Sequence, residues 1–128
     1  MAQRTWFITG VSSGFGLVTT ELLLKRGDRV AGTARKLQQL DGFKAQYGEQ
    51  LWLASLDVED TPAIRNVVDA AFEHFGRIDV IMNNAGYALI GAAEELTDEQ
   101  IIHQLNTNLM GSIQVVRAYA SDQRTCAQ

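Results

Sequence analysis

A doubly wound α/β architecture, a parallel sheet with helices on both faces in three layers, is the fold this sequence predicts, and three observations predict it. Four short apolar runs alternate with four longer segments whose apolar residues recur at helical spacing. Strands joined through helices in this way lie parallel, with right-handed crossovers, in a sheet buried on both sides. A glycine-rich stretch, Thr9-Gly10-Val11-Ser12-Ser13-Gly14-Phe15-Gly16, falls where the first apolar run meets the first helical segment. The composition fits one domain of 128 residues, 46% hydrophobic and 20% charged, with a single proline, a size at which folding buries roughly two thirds of the unfolded surface.

Residues 5–8 form the first predicted strand. The first helix follows over residues 15–25, with Phe15, Val18, Leu22 and Leu23 as its apolar stripe and Gly27 placed to end it. Residues 29–34 read as the second strand. Leu37, Leu40 and Tyr47 mark a weaker helix, interrupted by Gly42 and closed near Gly48. Residues 51–56 are the third strand. The helix after it carries the clearest signals: Thr61 as cap, Pro62 in the first turn, a stripe of Ile64, Val67, Val68, Ala71, Phe72 and Phe75, and Gly76 beyond its end. Residues 78–82 make the fourth strand. Thr97 and Gln100 stand at capping-box spacing and open a helix whose apolar residues are Ile102, Leu105, Leu109, Ile113 and Val116. The order is β-α-β-α-β-α-β-α, with no internal repeat or low-complexity segment.

Charge and cysteine usage narrow the function classes. A net charge of −4 and a pI near 5.0 give no broad basic surface for nucleic acid, which leaves small molecules or proteins as partners. No apolar run reaches the roughly 18 residues of a membrane span, and no signal-like segment opens the chain. The single cysteine, Cys126, cannot form an internal disulfide and fits a reducing compartment. The expected location is therefore cytoplasmic. His74 and His103 read as surface helix residues, and no second ligand at a plausible spacing suggests a metal site.

The glycine turn is the first candidate site. Gly10, Gly14 and Gly16 stand where the chain must turn tightly and where the N–H groups and positive dipole end of the first helix attract an anion such as phosphate. Their spacing, G-x-x-x-G-x-G, is one residue longer than the common dinucleotide fingerprint, and alone it is equally compatible with a plain turn. About 20 residues further on, a dinucleotide fold carries an acid for the ribose 2′-hydroxyl, or an arginine where that position bears a phosphate. Here Ala34 is followed by Arg35 and Lys36. A forked guanidinium suits a phosphate dianion, so the pattern points to NADP(H) over NAD(H).

Two further motifs face the same crevice beyond the strand ends: Leu56-Asp57-Val58 after the third strand and Asn83-Asn84-Ala85-Gly86 after the fourth. With Thr9-Gly10, Arg35 and Asn108, they make residues 4 to about 118 resemble the short-chain dehydrogenase/reductase family, in its N-terminal Rossmann-like portion. The resemblance implies an oxidoreductase that moves a hydride between a nicotinamide cofactor and a carbonyl or alcohol. It implies that Gly10, Ser12, Ser13, Gly14, Phe15 and Gly16 line the cofactor phosphates, and that Asp57, flanked by Val58, accepts from the adenine amino group. Asn84, Ala85 and Gly86 would pass along the nicotinamide ribose, and Asn83 would tie the strand end to its neighbours. Asn108, three residues before Gly111, matches the family's catalytic asparagine; its helix position borders an apolar face, where an amide must be hydrogen-bonded and could hold a water for proton relay.

The sequence departs from the family in its catalytic half. The resemblance calls for a serine and a Tyr-x-x-x-Lys pair, the lysine lowering a phenol pKa that is otherwise near 10. Tyr47, Tyr87 and Tyr119 are followed four positions later by Leu51, Gly91 and Gln123, and the last lysine is Lys44. Residues 119–128 form a polar stretch unlike the family's fifth apolar strand, so the expected organisation is an incomplete nucleotide-binding domain over 1–118 and a divergent tail, as a frameshift or premature stop would produce. Three functions remain open: a fragment of an NADP(H)-dependent oxidoreductase, inactive alone; a noncatalytic nucleotide-binding module; or a partner that pairs with a second copy or a full-length relative through its last helix.

Overall fold

The computed structural model describes residues 2–87 and 91–127. Its sheet comprises β1 (Thr5–Thr9), β2 (Arg29–Ala34), β3 (Leu51–Ser55) and β4 (Val80–Met82). All pairings are parallel, in the spatial order β3-β2-β1-β4, with Phe7 opposite Ala31 on one side and Ile81 on the other. The chain thus moves outward from β1 to β3 and then jumps back to place β4 on the far side of β1. Such a reversal opens a crevice at the carboxyl ends of the strands.

Alternation along the strands builds the three layers. Phe7, Ala31 and Ile81 point to one face, where they pack with Leu56, Ile64, Val68, Phe72, Ile78 and Val115; Ile8, Val30 and Leu51 point to the other, with Val11, Leu23, Leu24 and Leu40. The first face is covered by α3 (Thr61–Phe75) and α5 (Gly111–Ala127), the second by α1 (Gly14–Lys25) and α2 (Asp41–Tyr47). Each large side chain so buried contributes roughly 1.5–3 kcal/mol. At the opposite end of the sheet from the crevice, the buried Asp28 carboxylate accepts from Arg4 N–H, the Trp6 indole and Arg26. Burial pushes that carboxyl up, but these donors outweigh it and hold Asp28 below the ordinary carboxylate range.

Several expectations need correction. Helix α1 starts at Gly14, and three of its four predicted stripe residues face solvent: Phe15, Val18 and Leu22 are 84, 54 and 63% exposed, while Leu23 is buried as expected, together with Gly16, Thr20 and Leu24. Small residues win the inner face because the helix lies close against the β1 turn. Asp60, not Thr61, caps α3 by accepting from Ala63 N–H; Thr61 and Pro62 occupy the first turn. The capping box of Thr97 and Gln100 forms as expected and opens α4 (Asp98–Leu105), but a π-helical turn, Asn106–Met110, separates it from α5. Ile102, Leu105, Leu109, Ile113 and Val116 lie exposed, and Val115 and Ala118 are buried instead. Helix α5 continues unbroken through the polar stretch from residue 119, where Tyr119 packs on Phe72 and donates to Ile78 O at 3.1 Å.

Candidate functional site

The crevice is a cleft of about 600 Å³. Three turns wall it, and those after β1 and β4 are fixed by bonds that sequence neighbours do not supply. Gly10 and Val11 N–H both donate to Thr33 O, at 2.8 and 3.0 Å, which anchors the β1 turn on β2. Thr9 Oγ1 accepts from both Asn84 N–H and Ala85 N–H at 3.0 Å, and Asn84 Nδ2 donates back to Gly10 O at 3.0 Å. Thr9 therefore knits the β1 and β4 turns together from a fully buried position.

The glycines divide by role. Gly10 has φ +74°, and a Cβ there would stand 3.0 Å from Ala85 Cα; Gly14 has φ +57° with open space before it. Both line the cleft with Ser12, Ser13 and Phe15. Gly16 does not line it. A Cβ at Gly16 would collide with Gly10 O and stand 2.5 Å from Asn84 Nδ2, so its bareness lets α1 dock beneath the turn. Ser13 occupies the N-cap of α1 without making a side-chain capping bond, and no acid stands in the first turn. The N–H groups and positive end of α1 are thus left to an external anion.

On the second wall, Arg35 lines the cleft just past β2, beside Ala34, while Lys36 is exposed and lies outside the lining. Asp57 and Val58 line it after β3. Asp57 Oδ1 accepts from Glu59 N–H at 3.0 Å, and a Cβ on Gly111 would press on Val58 O at 2.9 Å, so the start of α5 holds this turn from behind. Asn84, Ala85 and Gly86 form the third wall, and Asn83 Nδ2 donates to Ser112 O, tying the strand end to α5 as expected.

Asn108 lies in the π-helical turn, exposed and outside the lining, contrary to the expected buried position. Its Oδ1 accepts from Tyr87 N–H at 2.9 Å and its Nδ2 donates to Tyr87 O at 2.6 Å, an arrangement that needs Gly86 bare because a Cβ there would stand 2.9 Å from Oδ1. The asparagine clamps the backbone after β4. Tyr87, His103 and Thr107 line the cleft unforeseen. His103 is not a plain surface residue: its Nδ1 pairs with Glu59 Oε2 at 2.6 Å, and its ring lies 5.0 Å from that of Tyr87. Neither Tyr87 nor Tyr119 has the lowered pKa an acid/base phenol needs. Burial and the Glu59 charge push Tyr87 up against the opposing pull of Arg35, and burial with Asp79 pushes Tyr119 up. Among the described residues no three His, Cys, Asp or Glu side chains gather to hold a metal, and no helix is long and apolar enough to cross a membrane.

The fold has counterparts among known proteins. The sequence profile of the short chain dehydrogenase family matches residues 4–124, and the chain belongs to that family. Oxidoreductase BOA17 of Botryotinia fuckeliana is 42% identical over 116 residues, which is 90% of this chain and 42% of that protein. The crystal structure of a short-chain dehydrogenase from Streptomyces avermitilis superposes with a TM-score of 0.92 at 35% identity, covering 97% of this chain and 46% of the other. The structure of ElxO with NADP bound superposes with a TM-score of 0.84 at 27% identity, over 95% of this chain and 50% of that one. The chain thus spans half or less of the length of these relatives.

Proposed function

We propose that these 128 residues bind NADP(H) in preference to NAD(H), as the cofactor-binding part of an oxidoreductase acting on a carbonyl or alcohol. The observation that carries the reading is Arg35 at the end of β2, lining the same cleft as the glycine turn, with Ala34 where an acid would repel a phosphate. The fit of the rest supports it: Gly10 and Gly14 leave the backbone bare, and the uncapped start of α1 offers N–H groups to a diphosphate. The structural relative with NADP bound supports the same choice. Asp57 keeps Oδ2 to accept from an adenine amino group, while Asn84, Ala85 and Gly86 shape the other end of the cleft.

When bound, the nicotinamide supplies or accepts the hydride. The chain's own residues orient it, and Asn108 holds the backbone that follows Gly86 at both the N–H and the C=O of Tyr87. Without the family's catalytic serine and its Tyr-x-x-x-Lys pair to polarise the carbonyl and deliver a proton, the 128-residue chain alone is expected to bind cofactor without turnover. A cytoplasmic location, and association with a second copy or a longer relative through the exposed α4–α5 stripe, complete the proposal.

Titration calorimetry tests it. Charge-assisted bonds from Arg35 to a phosphate are worth about 1.5–3 kcal/mol, so Arg35→Ala should cut the preference for NADP⁺ over NAD⁺ roughly tenfold or more. Equal or tighter binding of NAD⁺ by the unmutated chain overturns the reading.

A further inference from the structure

Two residues that line the cleft, Tyr87 and His103, and a third beside it, Glu59, lie outside the glycine, arginine and asparagine motifs, and together they form one assembly. Strands β3 and β4 are the two outer strands of the sheet. The turn after β3 carries Glu59, the segment after β4 carries Tyr87, and His103 on α4 touches both, through the 2.6 Å Nδ1 to Oε2 contact with Glu59 and the ring contact to Tyr87 at 5.0 Å with planes 42° apart. A bridge therefore runs over the carboxyl ends of β2 and β1 from one edge of the sheet to the other. Its rings border the cleft, whereas Glu59 stands behind them. Each member has its own restraint. Glu59 follows the Asp57 turn, whose carboxylate accepts the Glu59 N–H, and the Tyr87 backbone is held at both N–H and C=O by Asn108. Through His103 the Tyr87 ring is linked to Glu59, two residues beyond Asp57, which puts this ring on the side of the cleft walled by Arg35, Asp57 and Val58.

We propose that His103, anchored by Glu59, is a positioning residue that fixes the Tyr87 ring as a stacking wall for the purine base of a dinucleotide whose 2′-phosphate meets Arg35. This rests on the nucleotide reading above and adds which residues grip the adenosine half. A flat base gains from an aromatic face whose orientation is settled before binding, because the ordering cost is already met.

Calorimetry with two half-ligands separates this role from general scaffolding: 2′,5′-ADP, which has no nicotinamide, and nicotinamide mononucleotide, which has no purine. His103→Leu and Tyr87→Leu are each expected to weaken 2′,5′-ADP about five- to tenfold, the scale of one aromatic stacking contact. Both should leave nicotinamide mononucleotide unchanged. Tyr87→Phe, which keeps the ring, should bind 2′,5′-ADP within twofold of the unmutated chain. Because His103 acts through Tyr87, adding His103→Leu to Tyr87→Leu should cost nothing more. Unaltered 2′,5′-ADP binding in the single variants, equal weakening of both half-ligands, or additive losses in the double variant would each overturn the proposal while leaving the nucleotide reading in place. Failure of the unmutated chain to bind 2′,5′-ADP or NADP⁺ would remove both.

Discussion

Replacing Gly16 by alanine tests the packing that shapes the cleft, because helix propensity and tertiary contact pull in opposite directions there. In an unobstructed helix the change gains up to about 1 kcal/mol. At Gly16 the new Cβ lands on Gly10 O, 2.5 Å from Asn84 Nδ2 and 2.9 Å from Gly10 C. Carbon atoms settle at about 3.5–4.0 Å, so α1 must retreat by about 1 Å, and the obstacle is backbone that cannot swing aside. Overpacking of this kind costs about 1–3 kcal/mol, and loss of the Asn84 to Gly10 hydrogen bond adds about 1. After the helix gain is subtracted, the expected net loss is about 1–3 kcal/mol, or roughly 4–12 °C in melting temperature for a chain of this length. Gly42→Ala is the control: nothing lies within 4 Å of its Cβ position in α2 and its φ is not positive, so the same chemical change should raise stability by about 0.4–1 kcal/mol. Thermal unfolding followed by circular dichroism reads both. A Gly16→Ala chain that melts at or above the unmutated one would refute the claim that α1 is docked against the β1 turn.

Asp28→Asn should cost about 2–3 kcal/mol in urea unfolding, since a buried carboxylate with three donors is replaced by an amide that cannot accept from all of them. Because the folded Asp28 pKa is depressed, its contribution is present above the unfolded value near 3.8 and is lost as pH falls through the folded one; Asp28→Asn should flatten that acid limb. Asp122 near the end of α5 has the opposite sign. Burial and the neighbouring Asp69 push it up to about 6, so its contribution is greatest below pH 4 and is lost as pH rises through 6; Asp122→Asn should steady the last turns of α5 at pH 7.5, read as helical ellipticity on heating. Sedimentation should show self-association of the chain, abolished or weakened by Leu105→Glu with Leu109→Glu, because a stripe this apolar and this exposed favours a partner. A monodisperse 14.1 kDa species before mutation would count against association.

Much of the sheet and all three turns around the cleft could be read from the sequence, because their signals are local. Apolar runs with alternating faces mark the strands, and glycine or Asn-Ala-Gly motifs mark the points where a backbone must stay bare. Thr9, Tyr87 and His103 escaped because their meaning lies in partners far along the chain: the Thr9 hydroxyl serves N–H groups at positions 84 and 85, and His103 meets Glu59. Lys36 and Gly16 illustrate the converse, since spacing placed both beside a ligand while geometry sends one to solvent and the other beneath the turn. The misread helix faces share one cause. Periodicity reports that a helix has an apolar stripe, not that the stripe points inward, and on α1 and across the π-helical turn the inner face went to smaller or displaced residues such as Gly16, Thr20, Val115 and Ala118. Leucine and isoleucine left outside by that choice, from Leu22 to Ile113, are therefore surfaces whose hydrophobicity the fold of these residues does not use, and an apolar stripe of this kind is one that further protein would cover.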